Sequence, residues 1–413
     1  MISNVQNGKL NKKPFDWRNK VMNPYTPGAG STPFYLAGRN NLLDEAQSNI
    51  ENVIGGGASF HTIYYGVRGV GKTVLLNEIE SMVNNCNYYY IHFECDEHFN
   101  FIKNIIISIK KILIQLSTSA FTKNLLANLK NFIKSFELTY TVDGQTFATS
   151  YNSSFTDIDM ATGDLETDLI SLFSEIGNIL LTYNKVLCFF VDEMQNMNKE
   201  HLVIFIKAIH RMNQLNMPII VFGAGLPTIL RICGDACSYS ERLFNFVEVS
   251  YLTEEFATDA LVVPAKNNGV EYTREAITFI LENTGCYPYF IQQYGKIIWQ
   301  YIGENKLITI DMVEAAYTEY LDKLDYSFFG TRFSRSTKAE KNFLYAMAKC
   351  SAPPYAITDV ANQLNKQSKS ISPMRNNLIN KGLIYSPSFG EVDFTVPQFD
   401  LYLKRLNPNL TIE

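Results

Sequence analysis

Residues 66–73 read Gly66-Val67-Arg68-Gly69-Val70-Gly71-Lys72-Thr73, a complete G-x-x-x-x-G-K-T motif. The β-branched and aromatic run Phe60–Tyr65 before it predicts a strand, and the pattern of Thr73–Val83 after it predicts a helix. Glycines let successive backbone N–H groups turn around a phosphate chain, and the helix end adds positive potential. The stretch predicts a nucleotide site that includes Val74, with Lys72 on the β- and γ-phosphates and the Thr73 hydroxyl on Mg²⁺.

Two adjacent carboxylates, Asp192 and Glu193, follow the apolar run Val186–Val191. That run is hydrophobic on both faces, which is typical of a central parallel strand. Phosphoryl transfer needs positioning and charge neutralisation more than covalent chemistry. We therefore expect Asp192 to hold Mg²⁺ and Glu193 to orient the attacking water. The alternative is an acidic strand end that faces solvent.

The composition favours a soluble, cytoplasmic chain of two or three domains. It has 413 residues, of which 46% are hydrophobic and 19% charged, and its net charge is −5. No apolar run approaches the roughly 20 residues that cross a bilayer, and the polar start of the chain lacks a signal-peptide core. Seven scattered cysteines indicate reduced thiols rather than a disulfide framework.

Strand and helix patterns alternate through residues 34–250 and predict a three-layer α/β core. Prolines and glycines in residues 1–33 predict an extended arm. An insertion at about residues 99–151 contains two predicted helices. It also contains a predicted hairpin, in which Leu138–Val142 and Gln145–Thr149 flank Asp143-Gly144, and we expect it to decorate the core.

Two further units follow the core. Residues 251–330 are helical throughout and predict a lid. Residues 337–413 read as three short helices and two strands, which is typical of a winged helix-turn-helix.

With these motifs in place, the chain resembles prokaryotic AAA+ ATPases of the initiator-like, origin-recognition-related group and the neighbouring STAND ATPases. The resemblance extends over nearly all of residues 23–405. Besides the phosphate loop, five segments carry it: Phe34–Arg39, Asp192–Gln195, Gly223–Pro227, Ser238–Phe244 and Tyr287–Phe290.

This resemblance implies that Gly38 and Arg39 lie beside the adenine of ATP and that Pro288 packs near the nucleotide. It also implies a homo-oligomer in which Arg242 reaches the γ-phosphate of a neighbouring subunit. An ion pair of Arg242 with Glu241 or with the lid is the alternative.

Two departures from the family pattern predict slow hydrolysis. Ile219–Phe222 is followed by Gly223-Ala224-Gly225, without a polar side chain at the usual γ-phosphate-sensing position. The predicted helix that begins at Pro288 carries no arginine at the place of a second sensor. A nucleotide-held switch is therefore favoured over a fast motor.

Ser372–Lys381 is the predicted groove-facing helix of the winged unit, and Lys369, Arg375, Asn376 and Lys381 suit phosphates and base edges of duplex DNA. Residues from Thr337 onward carry nine Lys/Arg and six Asp/Glu, a net charge of +3. The sequence predicts an Mg·ATP-dependent switch that couples nucleotide state to self-association and DNA engagement. The alternatives are a STAND-like signalling or defence scaffold whose winged helix binds protein, and a nucleotide-binding module that does not hydrolyse.

Overall fold

A parallel five-stranded sheet lies at the centre of the structure, a computed structural model that describes residues 22–28, 30–58, 60–96, 98–118, 123–141 and 161–412. Its strands are β1 (His61–Tyr65), β2 (Tyr89–Glu94), β3 (Leu187–Asp192), β4 (Ile219–Gly225) and β5 (Phe244–Glu248). The strand order is β2-β3-β4-β1-β5. Because the strands are parallel, their carboxyl ends meet at one edge, where open α/β sheets bind ligands.

Helices cover both faces of this sheet and complete three layers, so the predicted α/β core is confirmed. The helices of the core are α1 (Asn40–Ile54), α2 (Lys72–Asn85), α3 (Phe101–Thr118), α4 (Lys123–Thr141), α5 (Leu165–Thr182), α6 (Lys199–Gln214), α7 (Ile229–Ala236) and α8 (Ser240–Leu243). Alternate strand residues enter the two layers: Phe190 packs in one core, and Phe189 and Val191 pack in the other.

The helices of the predicted insertion belong to one of these layers. Ile105 of α3 and Phe136 of α4 are fully buried in the same core as Phe189, so these helices cover the sheet rather than decorate it. Leu138–Val142 was expected to be a strand, but α4 remains helical to Thr141. The Tyr140 hydroxyl explains this, because it donates a 2.7 Å hydrogen bond to buried Asp168 of α5. The Asp143-Gly144 turn lies outside the described residues.

The N-terminal segment, by which we mean residues 22–28 and 30–37, packs against the lid, whereas the sequence predicted an extended arm over residues 1–33. Residues 1–21 lie outside the described residues. Tyr25 is buried, and its hydroxyl donates to the Leu261 carbonyl at 2.6 Å and lies 2.8 Å from the Tyr272 hydroxyl. Its ring meets Trp299 edge-on at 5.9 Å. Proline and glycine do prevent a regular element here, but the aromatic side chain supplies the packing.

The lid that receives Tyr25 contains four helices and a small parallel sheet. Its elements are α9 (Glu254–Lys266), β6 (Glu271–Tyr272), α10 (Arg274–Thr284), α11 (Pro288–Tyr301), β7 (Leu307–Ile308) and α12 (Ile310–Lys323). A π-helical segment, Leu324–Gly330, and the short helix α13 (Thr331–Phe333) continue directly from it. None of the described helices is long and apolar enough to span a bilayer.

The C-terminal unit has the winged-helix topology. It contains α14 (Lys338–Lys349), β8 (Tyr355–Ala356), α15 (Ile357–Gln363), α16 (Ser368–Asn380), β9 (Ile384–Tyr385), β10 (Glu391–Phe394) and α17 (Phe399–Leu406). Its antiparallel sheet has the order β8-β10-β9. The sequence patterns did not reveal β5, β8 or α17, because β5 is irregularly half-buried, β8 has only two residues and α17 has only eight.

The winged helix docks directly on the phosphate loop. The Arg68 backbone N–H donates to the Thr395 carbonyl at 3.1 Å, and Gln398 Nε2 donates to the Asn283 carbonyl of the lid at 2.9 Å. A continuous hydrophobic core runs from Val70 in the loop to Phe399 in the winged unit. A shift of the loop would therefore change the packing of the winged helix.

An acidic residue at this contact gives the docking a pH dependence. Burial raises the pKa of Asp393, on β10, to about 6, and its charge acts on Tyr251 of the core and Tyr385 of the wing. A raised folded-state pKa means that the folded protein binds more protons than the unfolded chain between about pH 4 and pH 6. Asp393 therefore destabilises the fold increasingly as the pH rises through that window.

We predict that Asp393→Asn stabilises the protein at pH 7.5 by about 1 kcal/mol after solvent screening, or about 1 °C in Tm for a chain of this length. At pH 4.5 the gain shrinks, because Asp393 is then largely neutral. Thermal unfolding at both pH values measures this, with the exposed Asp359→Asn as the matched control that gives no gain. An equal Tm change at both pH values would contradict the account.

Candidate functional site

The phosphate loop is closely packed and depends on its glycines. Gly69 and Gly71 have φ of +81° and +96°, which L-residues rarely adopt. A Cβ atom on Gly66 would lie 2.2 Å from the Val249 carbonyl oxygen, and one on Gly69 would lie 2.2 Å from the Tyr287 hydroxyl oxygen. The loop therefore lies between β5 and the lid without space for side chains at these positions.

Lys72 is buried at the first turn of α2, with 6% of its surface exposed. Its Nζ donates to the Gly66 carbonyl at 3.0 Å and to the Val67 carbonyl at 2.9 Å. Burial lowers the pKa of Lys72 to about 8, while the charges of Glu193 and Asp192 act in the opposite direction and that of Arg68 lowers it further. A desolvated ammonium group held by two neutral carbonyls gains from an anion placed beside it.

Thr73, in the first turn of α2, and Asp192, at the end of β3, lie together, as their predicted shared role requires. The Thr73 hydroxyl donates to Asp192 Oδ2 at 2.6 Å, and Asp192 is 3% exposed. Hydroxyl and carboxylate oxygens are ligands that Mg²⁺ prefers. The pair of residues fits a magnesium ion.

Glu193 is held in position by its neighbours. It has a φ of +49°, and its carboxylate accepts a hydrogen bond from Gln195 Nε2. Gln195 in turn accepts a 3.0 Å hydrogen bond from the Leu226 N–H just beyond β4. Glu193 lines the cavity described next, whereas Asp192 lies behind Thr73.

A cavity of about 430 Å³ opens at this edge of the sheet. The loop residues Arg68 to Val74 form one wall, Glu193 another, and the lid supplies Pro288 and Gln292. The N-terminal segment lines it with residues that include Pro27 and Tyr35, and the π-helical segment and α13 add Phe328 and Arg332. Its volume falls in the range of small-molecule and cofactor sites.

Gly38 and Arg39 lie beside this cavity, and Arg39 lines it. The Arg39 guanidinium is buried and donates to the Val70 carbonyl at 3.2 Å and to the Ser250 carbonyl at 2.6 Å. Burial lowers the pKa of Arg39. Gly38 has a φ of +65°, and a Cβ there would lie 2.7 Å from the Phe256 ring. The two residues thus tie the chain before α1 to the loop and to the lid.

The lid contributes Pro288, the first residue of α11, as the sequence predicted for this cavity. The preceding Tyr287 is fully buried, and within the described part of the chain its hydroxyl has no hydrogen-bond partner. Burial raises the pKa of Tyr287, while the charges of Arg332 and Arg68 lower it. An unpaired hydroxyl therefore lies between the phosphate loop and two arginines.

Arg242 does not join the cavity. It is exposed on α8, and among the described residues it forms no ion pair with Glu241 or with the lid. Its role toward a neighbouring subunit stays a prediction.

The predicted DNA-contacting residues divide into two pairs. Lys369 and Asn376 are exposed on α16. Lys381 instead donates to buried Glu340 at 2.6 Å and to the Arg335 carbonyl at 3.0 Å, and Arg375 donates to Ser386 of the wing. Lys381 and Arg375 thus maintain the winged unit, a correction to the expectation that all four side chains face the groove.

Sequence reasoning missed Arg332, Tyr287 and the N-terminal segment as parts of the site. Arg332 and the N-terminal residues reach the cavity only through tertiary packing, and Tyr287, although it belongs to the Tyr287–Phe290 segment, packs behind Gly69 of the loop. The arginine-rich composition of residues 327–336 was the one available signal.

Comparison with solved structures supports the fold. A Walker-type ATPase of Pyrococcus abyssi is similar at a TM-score of 0.54 with 14% identity, covering 89% of this chain and 96% of that one. The Orc1 protein of Aeropyrum pernix, in complex with DNA, matches at a TM-score of 0.44 with 11% identity over 91% and 94%. Cdc6p of Pyrobaculum aerophilum matches at a TM-score of 0.46 with 14% identity over 93% and 96%. The first of these shows that the chain shares the α/β fold of that Walker-type ATPase, in agreement with the predicted three-layer core.

A family model described as a domain of unknown function, DUF8462, matches residues 326–403. This span joins the segment that carries Arg332 to most of the winged helix. Among curated protein sequences, none matches the chain.

We predict that Gly69→Ala lowers ATP affinity at least about tenfold, because a Cβ there meets Tyr287 and the backbone strain alone is about 1–2 kcal/mol. Calorimetric titration with Mg·ATP measures this. Gly56→Ala is the matched control: its φ is +84°, and nothing lies within 4 Å of the added Cβ. Unaltered affinity in Gly69→Ala, or an equal loss in both variants, would show that the loop does not hold phosphate.

Proposed function

We propose that the protein is an ATP-binding and ATP-hydrolysing switch. The observation that carries this proposal is the 2.6 Å contact of Thr73, which lines a cavity together with loop residues Arg68 to Val74, with Asp192 behind it. A loop with this sequence, a buried lysine and an oxygen pair suited to Mg²⁺ together match the requirements of a nucleoside triphosphate.

Within this proposal, Thr73 and Asp192 would hold Mg²⁺, which would neutralise phosphate charge when bound. Lys72 would exchange the Gly66 and Val67 carbonyls for phosphate oxygens. Glu193, oriented by Gln195, would accept a proton from the attacking water. Pro288 and the N-terminal segment would enclose the base and sugar.

Slow hydrolysis fits the residues around Glu193. β4 ends in Gly223, Ala224 and Gly225, which offer no side chain to the cavity. Glu193 is then the one carboxylate that the described residues place on the cavity wall. Slow turnover suits a protein whose nucleotide state is a signal rather than a source of continuous work.

The units that enclose the cavity suggest how the nucleotide state is coupled to the rest of the chain. Lid, N-terminal segment and winged helix all contact the phosphate loop, directly or through shared core. We propose that exchange of ATP for ADP changes how the lid and winged helix pack, and with it self-association through exposed surfaces such as that of Arg242.

We predict that Lys72→Ala weakens ATP binding about 100-fold, the loss expected for a charge-assisted contact of about 3 kcal/mol. Glu193→Gln should bind ATP like the wild type but hydrolyse it about 10²–10³-fold more slowly, since it loses only the general base. Calorimetry and phosphate release measure the two effects.

Lys296→Ala, an exposed lysine of the lid, is the control for both assays. Undiminished ATP affinity in Lys72→Ala would refute the proposed function. Wild-type hydrolysis in Glu193→Gln would leave ATP binding intact and favour the non-hydrolysing alternative.

The proposed function also includes binding of duplex DNA through α16 of the winged helix. The exposed face of α16 carries Lys369 and Asn376, with small polar residues between them. With Arg375 hydrogen-bonded to Ser386 and Lys381 paired with Glu340, the electrostatic attraction of this face is modest. These contacts also favour the second candidate, a scaffold whose winged helix binds protein.

We predict that Lys369→Glu weakens duplex binding several-fold and reduces the salt dependence of binding by about one charge. Lys381→Ala should instead lower thermal stability, because it leaves the buried Glu340 carboxylate without its partner. Fluorescence anisotropy at several salt concentrations, with exposed Lys349→Glu as the control, measures the first effect. No salt-dependent affinity in the wild type, together with nucleotide-dependent oligomers, would identify the scaffold.

A further inference from the structure

Two arginines line the cavity without an ion-pair partner among the described residues. Arg68 and Arg332 both line the 430 Å³ cavity, and both also line a smaller adjoining cavity of about 60 Å³. Neither forms an ion pair within the described ranges. Burial, and then the charge of Arg68, lower the pKa of Arg332. Two like charges partly removed from water at one place favour an anion between them.

Arg332 is held on an aromatic stack that orients it. Its guanidinium carbon lies 4.1 Å from the centre of the Phe328 ring, and it donates a hydrogen bond to the Phe328 carbonyl. Phe328 stacks on Tyr289 of α11, with ring centres 4.5 Å apart. An arginine placed by a stack in this way keeps free N–H groups for a planar or tetrahedral anion.

A third polar group, the Tyr287 hydroxyl, lies near the two arginines. The Tyr287 hydroxyl, buried and without a partner among the described residues, lies next to Gly69 and feels the charges of Arg332 and Arg68. Buried hydroxyls without a partner are rare, because each costs about 1–3 kcal/mol. A phosphate oxygen between Arg68 and Arg332 would accept from both guanidinium groups, while the Tyr287 hydroxyl packs behind Gly69 of the loop.

From this geometry we infer that Arg332, with Arg68, binds the terminal phosphate of the nucleotide and transmits its presence to the winged helix. The inference rests on the proposed function. Arg332 lies on α13, between lid and winged helix, and lines the same cavity as the phosphate loop.

Arg68 provides the mechanical link. Its backbone N–H donates to the Thr395 carbonyl, and its guanidinium packs so closely on the winged unit that a Cβ on Gly382 would lie 2.9 Å from it. A terminal phosphate that draws the Arg68 side chain toward Arg332 therefore changes the contact with Gly382. Loss of that phosphate releases it.

The test compares ATP, ADP and AMP binding to the full-length wild type and to Arg332→Ala. ATP affinity should fall about 10- to 100-fold in the variant, as expected for a lost hydrogen bond to a charged group, and AMP affinity should not change. Arg335→Ala is the matched control: Arg335 lines only the smaller cavity. It should bind ATP like the wild type.

Thermal unfolding with and without ATP separates phosphate binding from a structural role. In Arg332→Ala the lost contacts with Phe328 oppose the relief of repulsion from Arg68, so the decisive readout is the Tm increase caused by ATP over each protein's own nucleotide-free Tm, which should be smaller in the variant. Equal ATP affinity in wild type and Arg332→Ala, an equal loss for AMP, or a larger effect in Arg335→Ala would each overturn the inference while leaving the proposed function intact. A wild type that binds no ATP would overturn both.

Discussion

The buried Lys72 ammonium is the charge around which the rest of this structure is arranged. Two loop carbonyls hold it, and the charges of Glu193, Asp192 and Arg68 act on it. A buried charge with only neutral partners is costly. This unfavourable burial of Lys72 occurs at the carboxyl edge of the parallel sheet. A polyanion bound there would contact loop, lid and α13 groups that already line the cavity.

The N-terminal segment, the lid and the winged helix all pack around the phosphate loop that carries Lys72. Contacts that do not involve a nucleotide hold each of them in place. Tyr25 anchors the N-terminal segment in the lid, Arg39 ties it to the loop, and the Thr395 carbonyl attaches the winged helix to Arg68. The cavity is thus a junction of units rather than a cleft within one of them. A ligand there would change the packing of every unit at once.

Sequence alone could predict what local periodicity encodes. The phosphate loop, β1, β3, α2, α6 and α11 follow from glycine spacing, continuous apolar runs and helical repeats. The prediction of strand at Leu138–Val142 was wrong because the hydrogen bond of Tyr140 to Asp168 favours helix, and no local pattern encodes that contact. The packing of Tyr25 in the lid and the position of Arg332 at the cavity could not be predicted either, because both depend on tertiary contacts. For the winged helix, a pattern of basic residues could not distinguish exposed Lys369 from Lys381, which pairs with buried Glu340.

The central claim is that one nucleotide closes a cavity shared by the phosphate loop, the N-terminal segment and the junction between lid and winged helix. Amide hydrogen exchange of the full chain with and without Mg·ATP tests it most directly, since exchange reports local opening along the backbone. The account predicts that exchange slows together in residues 66–74, in residues 26–37 and in residues 327–332. Slowing confined to the loop, or no slowing at all, would contradict it.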